Sequence, residues 1–194
     1  MTVNFYWVSM LVALISFVFQ TLMHVVFVFL IEKVEPPILM LTSLTADLWN
    51  TAFIGLIIYY LWKKECRLSS IIAMLFAVIA SSGAMQNLLL WNGFPITEST
   101  YLVMSWAATV IGPVFGISIL ISAARRHFWL VVIAITFIVT ETSGVVVLYF
   151  LNLDPAAEFN ILELISVLTL LNGIYWMLHF RTEIKSIRQA EVTK

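Results

Sequence analysis

Long apolar segments alternate with short polar ones along the whole chain. A helix needs about 20 residues to cross the hydrocarbon core of a bilayer. Six apolar segments reach that length, at 7–31, 38–62, 68–91, 101–124, 127–152 and 159–180. The polar segments between them are too short to fold as a soluble domain. The pattern therefore predicts an all-α integral membrane protein, in which residues 1–194 form a single bundle of six transmembrane helices and residues 182–194 form a polar tail.

The positive charges predict how this bundle is oriented. All ten Lys and Arg residues lie outside the apolar segments, and they concentrate after the second, fourth and sixth helices. Lys33 alone lies on the opposite side. Loops that carry Lys and Arg stay in the cytoplasm. The charge distribution therefore places both termini in the cytoplasm, and an even number of helices leads to the same result.

Composition supports a membrane protein and narrows its partners. The chain is 62% hydrophobic and 11% charged, with a mean hydropathy of +1.02, against about 45–50% and 25% in soluble proteins. Its net charge of −1 and the lack of a basic patch argue against binding to nucleic acid. The expected partners are the lipid bilayer and a lipophilic or cationic small molecule, and an oligomer is compatible with the sequence.

Several polar and aromatic residues near the predicted cytoplasmic boundary have an ordinary interpretation. Tyr60 lies just before Lys63 and Lys64, which is typical of an interfacial anchor. His127 and His179 also lie at this boundary, and we expect them to be interfacial. Cys66, the single cysteine, is expected to be an exposed thiol in a cytoplasmic loop, and it excludes an intrachain disulfide.

The apolar segments contain three acids but no Lys or Arg. These acids are Asp47, Glu141 and Glu163. An acid in the middle of the bilayer costs about 2.5–3.5 kcal/mol, so each should face the protein interior. The one internal side chain that could be cationic is His24. Either some of the acids are protonated, or the interior holds a cation, a metal or a positively charged ligand.

Polar side chains from five helices fall at a similar depth, at mid-membrane or in the outer half. Their positions predict a polar cavity in the outer half of the bundle. The candidate catalytic residues are Asp47, Glu141, Glu163 and His24. The candidate ligand-binding residues are Gln20, Trp49, Asn50, Gln86, Asn87, Trp106, Asn172 and Trp176. The alternative is that these groups only join helices, at about 0.6 kcal/mol for each hydrogen bond.

Acid–base catalysis commonly uses two carboxyl groups whose pKa values differ, because one must donate a proton while the other accepts one. The sequence therefore favours an intramembrane enzyme that isomerises, cyclises or hydrates a lipophilic small molecule. Asp47 and Glu141 would be the acid and the base, tuned by Glu163 and His24. The alternatives are a transporter, or a substrate-binding membrane subunit, for protons, cations or a small solute, and an accessory membrane subunit. No spacing matches a metal signature, so no metal site or cofactor is assigned, although His24 could ligate a haem or a metal.

Overall fold

The structure, a computed structural model, describes residues 1–25, 36–91, 98–122, 127–149 and 155–192. Within these ranges it leaves out the side chains at 24, 36, 39, 80–91, 98–109, 144–145, 147–149, 155–166 and 169. The described residues form six helices and no strand, which confirms the all-α prediction. The helices are α1 (Val3–Val25), α2 (Pro36–Lys63), α3 (Arg67–Trp91), α4 (Glu98–Ser122), α5 (Phe128–Tyr149) and α6 (Pro155–Val192).

Each predicted apolar segment corresponds to one helix, and the ends differ for local reasons. Helix α2 begins at Pro36, because the amide hydrogen that proline lacks would have no partner within the helix in the first turn. Helix α6 continues far beyond residue 180 into the polar tail. The tail is therefore largely helical, and it extends past the apolar part of the bundle.

The turn between α2 and α3 is closed by backbone hydrogen bonds around Glu65, whose φ is 62°. The Cys66 amide donates to the Leu61 carbonyl at 2.9 Å, and the Glu65 amide donates to the Trp62 carbonyl at 3.2 Å. This pair of bonds is the Schellman motif, which ends a helix with one left-handed residue. The motif turns Cys66 inward, where it is 7% exposed. The prediction of an exposed thiol was therefore wrong.

The six helices close into a ring. Each helix packs against its neighbours in the chain, and α1 completes the ring by packing against α6. Among the described residues, helices that face each other across the ring, such as α2 and α5, make no extensive contact. The ring therefore has a centre that side chains must either fill or leave as a cavity.

Aromatic side chains fill one end of the ring, where α1, α3 and α5 begin and α2, α4 and α6 end. We call this the closed end. Tyr6, Tyr60, Trp176 and Phe180 are fully buried there, with centroid separations of 5.6 Å for Tyr60–Phe180 and for Trp176–Phe180. Such pairs contribute about 0.5–1.5 kcal/mol each beyond the burial of their area. The closed end is therefore a compact core.

Two residues of this end were predicted to be interfacial and are not. Tyr60 and His179 are each 1% exposed, because both lie on the helix faces that point into the ring. Tyr59 and Trp62, on the other side of α2, are 47% and 48% exposed, as an interfacial anchor requires. For Tyr60 and His179 the predicted helix face was therefore wrong.

Helices α4 and α5 approach closely at two glycines one turn apart. A Cβ atom on Gly116 would lie 2.7 Å from Ile138 Cγ1 and 2.8 Å from the Ala134 carbonyl oxygen. A Cβ atom on Gly112 would lie 2.5 Å from Glu141 Cγ. Small residues at this spacing let two helix backbones approach each other. Helix α4 continues through Pro113, which lies between the two glycines.

The outside of the ring is apolar. Leu11, Val78 and Ile121 are examples of large hydrophobic side chains that are more than half exposed. Within the described residues, two stretches are long and apolar enough to cross a membrane, Val3–Met23 and Met40–Lys63. Only 22% of each stretch is buried inside the protein. These features indicate membrane association.

We expect Gly116→Ala to destabilise the protein by about 1–3 kcal/mol, the usual cost of adding a methylene to a tightly packed contact. The added methyl group would push against the backbone of α5, which cannot move without separating the helices. Gly55→Ala is the matched control, because a Cβ atom there meets nothing within 4 Å. Thermal unfolding in detergent should show a lower Tm for Gly116→Ala and an unchanged or higher Tm for Gly55→Ala. A wild-type Tm for Gly116→Ala would contradict the close packing.

Candidate functional site

A cavity of about 500 Å³ lies inside the ring. Side chains of α1, α2, α3, α5 and α6 line it. Ligand-binding cavities in proteins usually measure about 300–1,000 Å³. This central cavity therefore has the size of a site for one small molecule.

Helical spacing explains why one face of each helix reaches the cavity. On α2 the lining positions recur every three or four residues, from Ser43 through Asp47 and Asn50 to Ile57. On α1 the same spacing brings Ser16 and Gln20 to the cavity. The polar residues of these helices thus share a face, and the ring turns that face inward.

The structure brings six of the predicted site residues together around the central cavity. They are Gln20, Asp47, Asn50, Glu141, Asn172 and Trp176. Trp49 is half-buried in α2 and does not line the cavity. The other predicted residues lie outside the described side chains: His24, Gln86, Asn87, Trp106 and Glu163. Their relation to the cavity stays a prediction.

Most of the cavity wall is apolar and aromatic. Phe17, Phe53, Phe76, Phe137 and Trp176 all contribute to the lining. No Lys or Arg lines the cavity in the described part of the chain. A ligand with an apolar body would pack against these rings, and a basic group on it would be attracted both by the acids and by the faces of the rings.

The two described acids reach the cavity from opposite sides. Asp47 comes from α2 and Glu141 from α5, and these helices face each other across the ring. Gly112 of α4 provides the space for the Glu141 side chain, since a Cβ atom there would also lie 3.1 Å from Glu141 Oε2. The close packing of α4 and α5 therefore fixes where the Glu141 carboxyl group lies.

Asn172 and Trp176 add hydrogen-bonding groups that have no partner among the described residues. Asn172 is 4% exposed, and neither its amide nitrogen nor its amide oxygen is hydrogen-bonded. The indole Nε1 of Trp176, one helical turn away, also lacks a partner. A buried polar group without a partner costs about 1–3 kcal/mol. Such groups at the edge of a cavity are explained when a bound ligand or water satisfies them.

A second polar cluster, at the closed end, was missed from the sequence. His179 Nε2 lies 2.6 Å from the Tyr60 hydroxyl, and the Glu183 carboxylate accepts a hydrogen bond from Lys64 Nζ at 2.7 Å. Burial alone would raise the pKa of Glu183, but Lys64 together with His179 and His127 lowers it below its usual value. Spacing offered a signal, because Asn172, Trp176, His179 and Glu183 recur every three or four residues along one face of α6.

Comparison with known proteins adds no family to this description. No protein-family model, no curated protein and no solved structure matches the chain. The function is therefore argued from the cavity and its residues.

We expect Asn172→Leu to raise the Tm, because it removes a buried amide that costs about 1–3 kcal/mol when unpaired. The same change should weaken the binding of whatever molecule occupies the cavity. Thr140→Val is the control, since Thr140 is equally buried but bonds the Thr136 carbonyl of its own helix at 2.8 Å, so no gain in Tm is expected. A lower Tm for Asn172→Leu would mean that the amide supports the fold rather than a ligand.

Proposed function

We propose that this protein is a six-span integral membrane enzyme that isomerises, cyclises or hydrates a lipophilic small molecule by proton transfer. The observation that carries the proposal is the pair of carboxyl groups, Asp47 and Glu141, that reach one largely apolar cavity from opposite helices. A substrate held between them would have one carboxyl group on each side.

The apolar exterior and the asymmetry of the positive charges support the proposed topology. All six helices would cross the bilayer, with both termini in the cytoplasm. The closed end would then face the cytoplasm, because it holds the start of α1 and the carboxyl-terminal part of α6. The central cavity would lie nearer the outer leaflet, where a lipophilic substrate is dissolved.

In the proposed reaction one carboxylic acid donates a proton to the substrate while the opposite carboxylate removes a proton elsewhere. For isomerisation or cyclisation the substrate gains one proton and loses one, so its composition does not change. The two carboxyl groups then exchange protonation states, and a proton must return between them before the next turnover. Hydration differs only in that a water molecule adds to the substrate.

The remaining lining residues have clear tasks in this scheme. Gln20, Asn50 and Asn172 can orient a polar group of the substrate, and Trp176 Nε1 can donate a hydrogen bond to it. The aromatic side chains exclude bulk water, which strengthens these interactions. In the described residues Pro113 is the one proline in a helix interior. This scarcity of helix-breaking prolines indicates a rigid bundle, which suits a reaction that depends on the positioning of its groups.

Transport of protons, cations or a small solute is the second candidate. The feature that favours it is Gly112-Pro113 in α4, because Gly112 packs against Glu141, a residue of the cavity wall. Transporter binding sites commonly lie at helices broken by Gly or Pro, usually in two matching positions, whereas α4 continues through Pro113. The acids would then bind the transported cation instead of transferring protons to a substrate.

The test is to replace each acid by its amide and identify the molecules that remain bound. We expect wild-type protein and the Asp47→Asn and Glu141→Gln variants to retain a lipophilic molecule in native mass spectra. The variants should carry the unconverted substrate, because loss of the acid or the base lowers the rate by about 10²–10⁴-fold. Chromatography against the wild-type ligand would reveal an isomer, or a difference of one water molecule.

Glu65→Gln is the matched control, because Glu65 is an exposed acid outside the cavity. It should carry the same molecule as the wild type. The transporter proposal would be favoured over the enzyme if the wild type and both cavity variants carry identical ligands and the variants lose solute uptake in proteoliposomes. If no ligand is found and the acid variants change only the Tm, the protein would be an accessory membrane subunit.

A further inference from the structure

We propose that His127, His179 and Glu183 form a binding site for a first-row transition metal ion of the Zn²⁺ class at the closed end of the bundle. We call these three residues the closed-end triad. The triad is separate from the central cavity, and the proposal does not depend on the function proposed above.

The positions of the donor atoms suit a metal ion. One donor atom from each residue of the triad lies within 4.8 Å of the others. His127 Nε2 is 3.4 Å from Glu183 Oε1. Two ligands bound tetrahedrally at about 2.0–2.1 Å from a zinc ion lie about 3.4 Å apart. This pair therefore already has the spacing that zinc requires.

The two oxygens of Glu183 have different surroundings. Oε2 accepts hydrogen bonds from Lys64 Nζ at 2.7 Å and from the Tyr6 hydroxyl at 3.1 Å. Oε1 is buried and has no hydrogen-bond partner in the described part of the chain. A buried carboxylate oxygen without a partner is costly. A metal ion between Oε1 and the two imidazoles would satisfy it, while Lys64 and Tyr6 hold the other oxygen in place.

His179 is oriented by the Tyr60 hydroxyl, which lies 2.6 Å from its Nε2 atom. In the tautomer that carries its hydrogen on Nε2, His179 donates to the Tyr60 hydroxyl oxygen. Nδ1 is left with a free electron pair for a metal. Histidine ligands are typically held in this way by an oxygen on the second ring nitrogen.

His127 supplies the route for entry. It precedes α5, and its carbonyl oxygen accepts a hydrogen bond of 3.1 Å from the Leu130 amide in the first turn of that helix. Its side chain is 33% exposed, against 6% for Glu183. An ion could reach Oε1 past this imidazole. Two imidazoles and one carboxylate suit Zn²⁺, and a fourth position stays open for water.

The test uses the full chain, purified with a tag that contains no histidine and stripped of metal with a chelator. Co²⁺ serves as the optical probe and Zn²⁺ as the competitor. We expect one Co²⁺ per chain, the intense visible absorption of tetrahedral Co²⁺, and its displacement by Zn²⁺. His127→Gln should weaken binding at least about 10-fold and Tyr60→Phe about 10–100-fold. His127→Gln is the main variant, because its partly exposed side chain can change without emptying the core.

Two further variants make the result specific. Lys64→Met should tighten Co²⁺ binding, because it removes the cation that now neutralises Glu183; a purely structural ion pair would give lower stability and no metal binding. Glu65→Gln, at an exposed acid outside the triad, should leave binding unchanged. The proposal fails if the wild-type protein binds no Co²⁺, if His127→Gln binds it as tightly as the wild type, or if Glu65→Gln abolishes binding.

Discussion

The constraint on which this structure depends is that polar side chains in an apolar bundle have only the interior to occupy. Leu48 is 58% exposed on the outside of α2, whereas Asp47, its neighbour in the chain, lines the central cavity. In a membrane, an acid on the outside of α2 would cost several kcal/mol, and Asp47 and Asn50 lie on the face of α2 that turns toward the centre of the ring. The cavity and its chemistry follow from this constraint, because the same helices that hide polar groups from the outside bring them close to one another.

The interior divides into two parts that differ in how they are filled. At the closed end, Tyr6, Tyr60 and Lys64 bond the histidine and carboxylate groups, and aromatic rings fill the remaining space. Glu183 Oε1 is the exception there, since it has no hydrogen-bond partner among the described residues. Around the central cavity, Asn172 and Trp176 also keep hydrogen-bonding groups without a partner in the described part of the chain. A buried group of this kind costs about 1–3 kcal/mol, and at the centre it borders open space instead of packed rings.

The sequence indicated which polar residues share the interior better than it indicated the helix face of the aromatic residues. Asp47 was expected in the outer half of the bundle and Glu141 and Asn172 near mid-membrane, and all three line one cavity. Tyr60, His179 and Cys66 were expected at the surface and are buried. Aromatic and histidine residues occur on both sides of a helix end, so their type does not decide between lipid and core. The repeated spacing from Asn172 to Glu183 was the better guide, since a helix presents such positions on a single face.

The sequence by itself determined the all-α architecture and the six helices, because hydropathy acts locally along the chain. Only the tertiary structure decided that the helices close into a ring, that Gly112 makes room for Glu141, and that His127 meets Glu183 across the gap between α5 and α6. These features join residues far apart in the chain. They depend on which faces pack together and how closely the backbones approach, and the linear pattern of one sequence carries no measure of either.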